Sequence, residues 1–242
     1  MSVLPKIDLP TYEVTIPSTG KQIIVRPFKV KEEKLLLMAT ESGDQIEIVN
    51  TTKQIINNCI LTEGVSVDAL PFFDVDYLII FLRAKSIGES IELEFTCNAV
   101  IDGMKCGHVY SGELDLSTCR IIKDESISNL IDLGSGVQIK MKYPNYGIMK
   151  VISENDHILD RKIKIIANCI DMIIKGDEVH TTKDRTITEL VDYVENLSEF
   201  QYTKLERFID NFPSFVVDIE TSCSSCGTVH KKEYRDFSTF FQ

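Results

Sequence analysis

Cysteines at the ends of two strand-like segments are the residues in this sequence best suited to chemistry. The first segment runs Ile91-Glu92-Leu93-Glu94-Phe95-Thr96-Cys97, crosses a polar loop to Cys106-Gly107-His108, and returns from Val109 to Leu116. The second runs from Val216 to Cys223, turns through Cys226-Gly227-Thr228-Val229-His230, and continues as a polar strand toward Phe237. A strand ending in Cys, a tight turn and a returning Cys-Gly pair make the pattern of a zinc knuckle, because glycine lets backbone amides turn toward thiolate sulfur. Two knuckles supply four sulfurs, the number that closes a tetrahedral Zn2+ site and leaves no open position for a substrate. The predicted structural-zinc ligands are Cys97, Cys106, Cys223 and Cys226, with His108 and His230 as reserve ligands. Cys223-x2-Cys226-Gly is a compact half-site, whereas Cys97-x8-Cys106 is loosely spaced and gains its weight from the pairing. The competing reading is of ordinary reduced thiols near strand ends.

Other chemistry finds little support. Only four histidines occur; beyond the two at the knuckles, His157 and His180 stand in polar helix-start and loop contexts. No phosphate-binding glycine loop, nucleophile elbow or His-Glu-x-x-His helix is present. With 37 acidic residues, neighbouring carboxylates such as Glu32 and Glu33 single out no general acid. The expectation is a non-enzymatic protein without a small-molecule substrate. A net charge of −11 argues against a protein that wraps nucleic acid, since phosphate binding draws on clustered Lys and Arg. No apolar run of eighteen residues occurs, and the opening residues lack the basic and apolar regions of a signal peptide, which predicts a cytoplasmic chain with no membrane span. Hydrophobic residues make up 43% of the chain, enough for a sizeable core, and Cys59 and Cys169 inside apolar helical patterns fit buried reduced thiols.

The elements that must position the knuckles are written twice. Val14 to Pro27 and Asn129 to Pro144 each read as a hairpin with a glycine turn, a Gln-Ile pair and a closing proline. Ile55-Ile56-Asn57-Asn58-Cys59-Ile60 and Ile165-Ile166-Ala167-Asn168-Cys169-Ile170 follow in the same order, and then the knuckles. Between hairpin and knuckle each half reads as helices. The first half has one over Lys31 to Glu41, a second from about Asp44 with a stripe through Val49, Thr52, Ile55, Ile56 and Cys59, and a third capped by Asp74. In the second half a stripe runs from Ile158 to Ile173, and Thr186 with Glu189 and Ser198 with Gln201 form capping boxes. The predicted class is α+β, a tandem duplication joined by a zinc-ribbon-like module. Its divisions are an extension over 1–13, a first repeat over 14–119, a linker over 120–128 and a second repeat over 129–242.

Two further segments carry a family resemblance. Ile16-Pro17-Ser18-Thr19-Gly20 followed by Arg26-Pro27-Phe28-Lys29-Val30-Lys31-Glu32-Glu33-Lys34-Leu35 resembles the opening signature of the baseplate hub and hub-assembly proteins of T-even-type contractile-tailed bacteriophages. Phe73-Asp74-Val75-Asp76-Tyr77-Leu78 through Leu82-Arg83-Ala84-Lys85-Ser86-Ile87-Gly88-Glu89 is similar to the second. The resemblance implies a late phage protein of the infected bacterial cytoplasm, either a hub component kept in the virion tail or a dedicated assembly chaperone. Hub proteins and the tape-measure protein are the implied partners, and Arg26, Phe28, Phe72, Phe73, Phe240 and Phe241 are candidate partner contacts. The aromatics have two outcomes, folding back on the core or anchoring a partner. The rival classes are a zinc-ribbon nucleic-acid binder and a zinc-dependent hydrolase.

Overall fold

A computed structural model describes residues 7–153 and 155–235. In chain order the elements begin with β1 (Tyr12–Thr15), β2 (Gln22–Val25), α1 (Val30–Ser42), α2 (Gln45–Cys59) and α3 (Phe72–Ser86). There follow β3 (Ser90–Thr96), β4 (Val100–Ile101), β5 (Met104–Lys105), β6 (Val109–Asp115) and β7 (Arg120–Ile122). The rest of the chain forms β8 (Leu130–Gly134), β9 (Val137–Met141), α4 (Ile158–Cys169), β10 (Ile170–Lys175), β11 (Glu178–Thr181), α5 (Ile187–Glu195), α6 (Glu199–Asp210), β12 (Ser214–Ser222) and β13 (Val229–Tyr234). The chain is mixed α+β with several small antiparallel sheets.

Two compact units result. Among the described residues, one holds 7–67, Phe73–Ile121 and 215–235, and the other holds Asp68–Phe72 and the rest of 122–214. The last knuckle strands are therefore grouped with the first knuckle, although the expected division places them in the second repeat.

In the first unit β1 and β2 pair as the expected hairpin, turned by Gly20 at φ +69°. Alternation puts Val14, Ile23 and Val25 inside. Asp44 caps α2 by accepting from the Ile46 and Glu47 amides, and the predicted stripe through Val49, Thr52, Ile55, Ile56 and Cys59 is its buried face. Asp74 is a correction. The helix begins at Phe72, so Asp74 lies inside its first turn, fully buried, and accepts hydrogen bonds from the Ser18 amide (2.9 Å) and the Ser18 hydroxyl. A carboxylate in that position ties the Pro17–Gly20 turn to α3. The Phe28 amide likewise donates to Ser86 Oγ at 2.9 Å, so the two signature segments meet physically.

In the second unit the sheet order is β11-β10-β9-β8, all antiparallel. Leu133, Ile139, Met141, Ile166, Leu205 and Phe208 lie in one core beneath the helices. Both capping boxes form as expected, Thr186 with Glu189 and Ser198 with Gln201. The helical stripe ends earlier than the sequence suggests: α4 stops at Cys169, and Ile173 belongs to β10. Lys175-Gly176-Asp177-Glu178 closes a two-residue hairpin turn with Gly176 at φ +60°, and that turn claims the β-branched residues before it.

The helix-to-strand junction is built alike in both units. Cys59 O accepts from the Arg26 amide at 2.9 Å, and Cys169 O accepts from the Lys142 amide at 2.7 Å. Ile60 bridges to Val25 just as Ile170 pairs with Met141. This register sets Lys142 opposite Arg26, one residue away from the match that aligning Pro27 with Pro144 gives. Both thiols are fully buried, and burial pushes Cys59 up to about 11 and Cys169 up to about 12.

Candidate metal centre

Two antiparallel hairpins carry the sulfurs. β3 pairs with β6 from Ser90↔Asp115 to Thr96↔Val109, and β12 pairs with β13 from Val217↔Tyr234 to Ser222↔Val229. Each pair ends in the same backbone device. The Cys97 amide donates to His108 O (2.9 Å) and the Gly107 amide to Cys97 O (3.0 Å); the Cys223 amide donates to Thr228 O (2.9 Å) and the Gly227 amide to Cys223 O (2.8 Å). Gly107 and Gly227 stand at φ +64° and +73°, the left-handed region that glycine enters without steric cost.

The loose spacing of the first knuckle has a simple cause. The Cys106 amide donates to Ala99 O at 2.8 Å, and the residues between them, Val100 to Lys105, form the separate β4-β5 hairpin. With that six-residue insertion removed, Cys97 and Cys106 have two residues between them, as Cys223 and Cys226 do. The insertion turns on Asp102-Gly103, both at positive φ, a strong two-residue hairpin turn.

The four predicted sulfurs, Cys97, Cys106, Cys223 and Cys226, all lie within 4.8 Å of one another. Cys97 Sγ is 3.6 Å from Cys226 Sγ, and Cys106 Sγ is 3.9 Å from Cys223 Sγ. A zinc tetrathiolate with bonds of about 2.3 Å has sulfur-sulfur edges of about 3.8 Å. The donor set therefore fits a closed tetrahedral ion. Its shortest contacts run between hairpins, so an ion held by all four would cross-link residues 97 and 226. All seven cysteines are free thiols.

Electrostatics divide the cluster. Cys226 Sγ lies 3.2 Å from Thr228 Oγ1, and hydrogen bonding with the Thr228 side chain and backbone brings Cys226 down to about 6. The Ala99 amide acts in the same direction on Cys97, but burial and the three neighbouring sulfurs outweigh it and hold that thiol at about 12. Without a cation, four thiolates this close repel one another; a divalent ion removes the conflict by binding them deprotonated. Cys97 and Cys223 are buried, while Cys106 and Cys226 are half-buried.

Each reserve histidine makes a contact at the knuckles. His230 Nε2 sits 3.3 Å from Cys97 Sγ, placed to donate to a thiolate, and its ring stacks on Tyr110 at 6.1 Å. His108 Nε2 is 2.9 Å from Ser224 Oγ in the opposite knuckle. Cys119 lies outside the four-sulfur group.

Sequence reasoning passed over the residues that let the hairpins meet. Tyr110 OH lies 3.1 Å from Thr221 Oγ1, joining β6 to β12. Gly112 faces the same strand. A Cβ on Gly112 would collide with the Thr221 methyl and come within 2.9 Å of Phe95 Cε2. The signal was a lone glycine inside a strand, which marks a close approach of another element.

Among the described residues, the candidate partner contacts are mostly engaged inward. Arg26 forms a two-pronged pair with Glu32 at 2.7 and 2.8 Å, and Glu32 also accepts from the Lys29 amide. Phe28 (7% exposed) and Phe73 (3%) fold back on the core. Phe72 is half-buried, its ring packing edge-on against Tyr146 at 4.5 Å. Phe240 and Phe241 lie outside the described residues. Among the described residues, no helix is long and apolar enough to cross a membrane.

A match to the family described as T4 bacteriophage base plate protein spans residues 9–242. The chain belongs to that family of phage baseplate proteins, and the family supports a structural role in the baseplate. Searches of curated proteins and of solved structures find no significant match.

Proposed function

We propose that this is a non-enzymatic baseplate hub assembly protein, a hub component or dedicated chaperone, whose knuckles are pinned by one structural Zn2+. The convergence of four sulfurs from two hairpins carries the reading. Four protein ligands fill a tetrahedral ion, so the metal stiffens the unit and offers no position to a substrate or activated water, which counts against the hydrolase alternative. The matching Cys59 and Cys169 junctions support descent of the two halves from one duplicated unit. Hub or tape-measure proteins are the partners this reading assigns, met in the infected host's cytoplasm where tails are built. A net charge of −11 speaks against nucleic acid.

Two measurements test it. Elemental analysis of the purified chain is expected to find one zinc per molecule, and cobalt exchange to give a four-sulfur absorption spectrum. Affinity capture from phage-infected cells is expected to recover tail proteins. Recovery of nucleic acid and no tail protein, or a cobalt spectrum with an exchangeable water, refutes the proposal.

A further inference from the structure

Behind the four sulfurs the two knuckle hairpins are built in the same register. Cys97 and Cys223 directly follow β3 and β12, and the strand pairs nearest them are Thr96↔Val109 and Ser222↔Val229. One pair further in stand Phe95↔Tyr110 and Thr221↔His230. Tyr110 and His230 therefore hold the same place, each the fourth residue after the second cysteine of its knuckle. The two meet: their rings stack at 6.1 Å. Tyr110 is itself held by its hydroxyl, 3.1 Å from Thr221 Oγ1, and by the Phe95 ring at 5.8 Å. One structural position thus supplies an aromatic prop in the first hairpin and an imidazole nitrogen in the second.

Propped in this way, His230 reaches across to the other hairpin. Its Nε2 lies 3.3 Å from Sγ of Cys97, and the residue is half-buried. Four thiolates around a divalent ion leave a net charge of about −2, and charge taken partly out of water needs donors aimed at it. The Ala99 amide serves Cys97, and Thr228 serves Cys226. A metal-bound thiolate has only lone pairs to offer, so a nitrogen that bonds it has to carry the proton. For His230 to take the metal itself, it would have to displace a sulfur from a set whose members all lie within 4.8 Å of one another.

We infer that His230 is a positioning residue of the metal centre: it donates its Nε2–H to the Cys97 sulfur, orients that ligand, and raises the affinity for a thiophilic divalent ion without binding the ion. The inference rests on the proposed structural zinc and deepens it, because a reserve ligand becomes the donor that secures a ligand of the opposite hairpin. Outer-shell donors of this kind are worth roughly 10–100-fold in metal affinity. Tyr110 serves the same end one step back, by fixing the plane of the imidazole.

Two variants of the full-length protein separate the nitrogen from the ring. His230→Phe keeps a ring against Tyr110 and loses the donor, whereas His230→Gln loses the ring and keeps an N–H at similar reach. Zinc affinity is read by competition with a chromophoric chelator, and the ligand set by the absorption spectrum after cobalt exchange. The expected result is a loss of zinc affinity of roughly 10–100-fold in His230→Phe, with most of it restored in His230→Gln. Cobalt in His230→Phe is expected to keep the four-sulfur visible bands. Its sulfur-to-metal charge-transfer band is expected to move to longer wavelength, because a thiolate relieved of a hydrogen bond gives up electron density more readily. His230→Ala also lacks the donor, is expected to bind as weakly as His230→Phe, and replaces it if the Phe variant does not fold. Unchanged affinity in the folded variants that lack the donor, or equal losses in His230→Phe and His230→Gln, overturns the inference. So does a wild-type cobalt spectrum of three sulfurs and one nitrogen that His230→Phe alters, because the imidazole would then be a ligand. Wild-type protein that takes up neither zinc nor cobalt overturns the structural-metal reading itself, and the inference with it.

Discussion

Replacing Cys226 by Ser tests the cross-link most directly. An ion bound by all four sulfurs joins positions 129 residues apart, since Cys97 and Cys226 belong to different hairpins. Treated as a chain cross-link, closing a loop of that length removes unfolded-state entropy worth about 5 kcal/mol. Loss of one sulfur is expected to forfeit most of that, about 3–5 kcal/mol, which in a chain of this size lowers Tm by roughly 6–20 °C. Cys59→Ser is the matched control: the same atom change at a fully buried site remote from the knuckles, costing about 1–3 kcal/mol through a buried hydroxyl. Thermal unfolding followed by circular dichroism, with and without a strong zinc chelator, separates the two. Chelation is expected to bring wild type down to the level of Cys226→Ser while leaving the deficit of Cys59→Ser unchanged. If the chelator shifts nothing and the two variants are equally mild, no metal holds the hairpins and the reasoning fails.

Other perturbations follow from the same geometry. Gly112→Val drives a side chain into Thr221 and Phe95; it is expected to destabilise the knuckle pair by about 1–3 kcal/mol and to weaken zinc in a competition titration, whereas a bulky substitution at exposed Val100 does neither. Ser18→Ala removes a donor to the buried Asp74 carboxylate and is expected to cost about 1–3 kcal/mol by urea unfolding. Burial already raises Asp74 above the usual carboxylate range, so this deficit is expected to shrink as pH falls and the group takes up a proton. Glu32 is shifted the opposite way. Hydrogen bonds from Arg26 hold it below its ordinary value of 4.5, so the pair contributes fully above that pH and its contribution is lost as pH falls through the lowered value. Glu32→Gln is therefore expected to be less stable than wild type by about 3 kcal/mol at neutral pH, with the gap closing in acid; a constant gap from pH 7 to pH 3 refutes the assignment.

The clustering of the four cysteines was legible because knuckle geometry is local. Cys-Gly at a strand end sets both a ligand and the positive φ that follows it, and neither depends on distant packing. The capping boxes at Thr186 and Ser198 were legible for the same reason, each satisfying its own first-turn amides. Readings failed where a distant residue decided. Asp74 looks like a cap until Ser18, 56 residues away, supplies its donors. Ile173 fits a helical stripe until the Gly176 turn and β9 draw it into a sheet.

By itself the sequence determined which residues have the chemistry to bind a metal and where most helices start. Only the tertiary structure decided that Gly112 must lack a side chain for the two knuckle hairpins to meet, and which of four consecutive apolar residues on α1 enters the core. Short-range hydrogen bonds and turns are encoded within a few residues, whereas burial is a property of surfaces brought together from far along the chain.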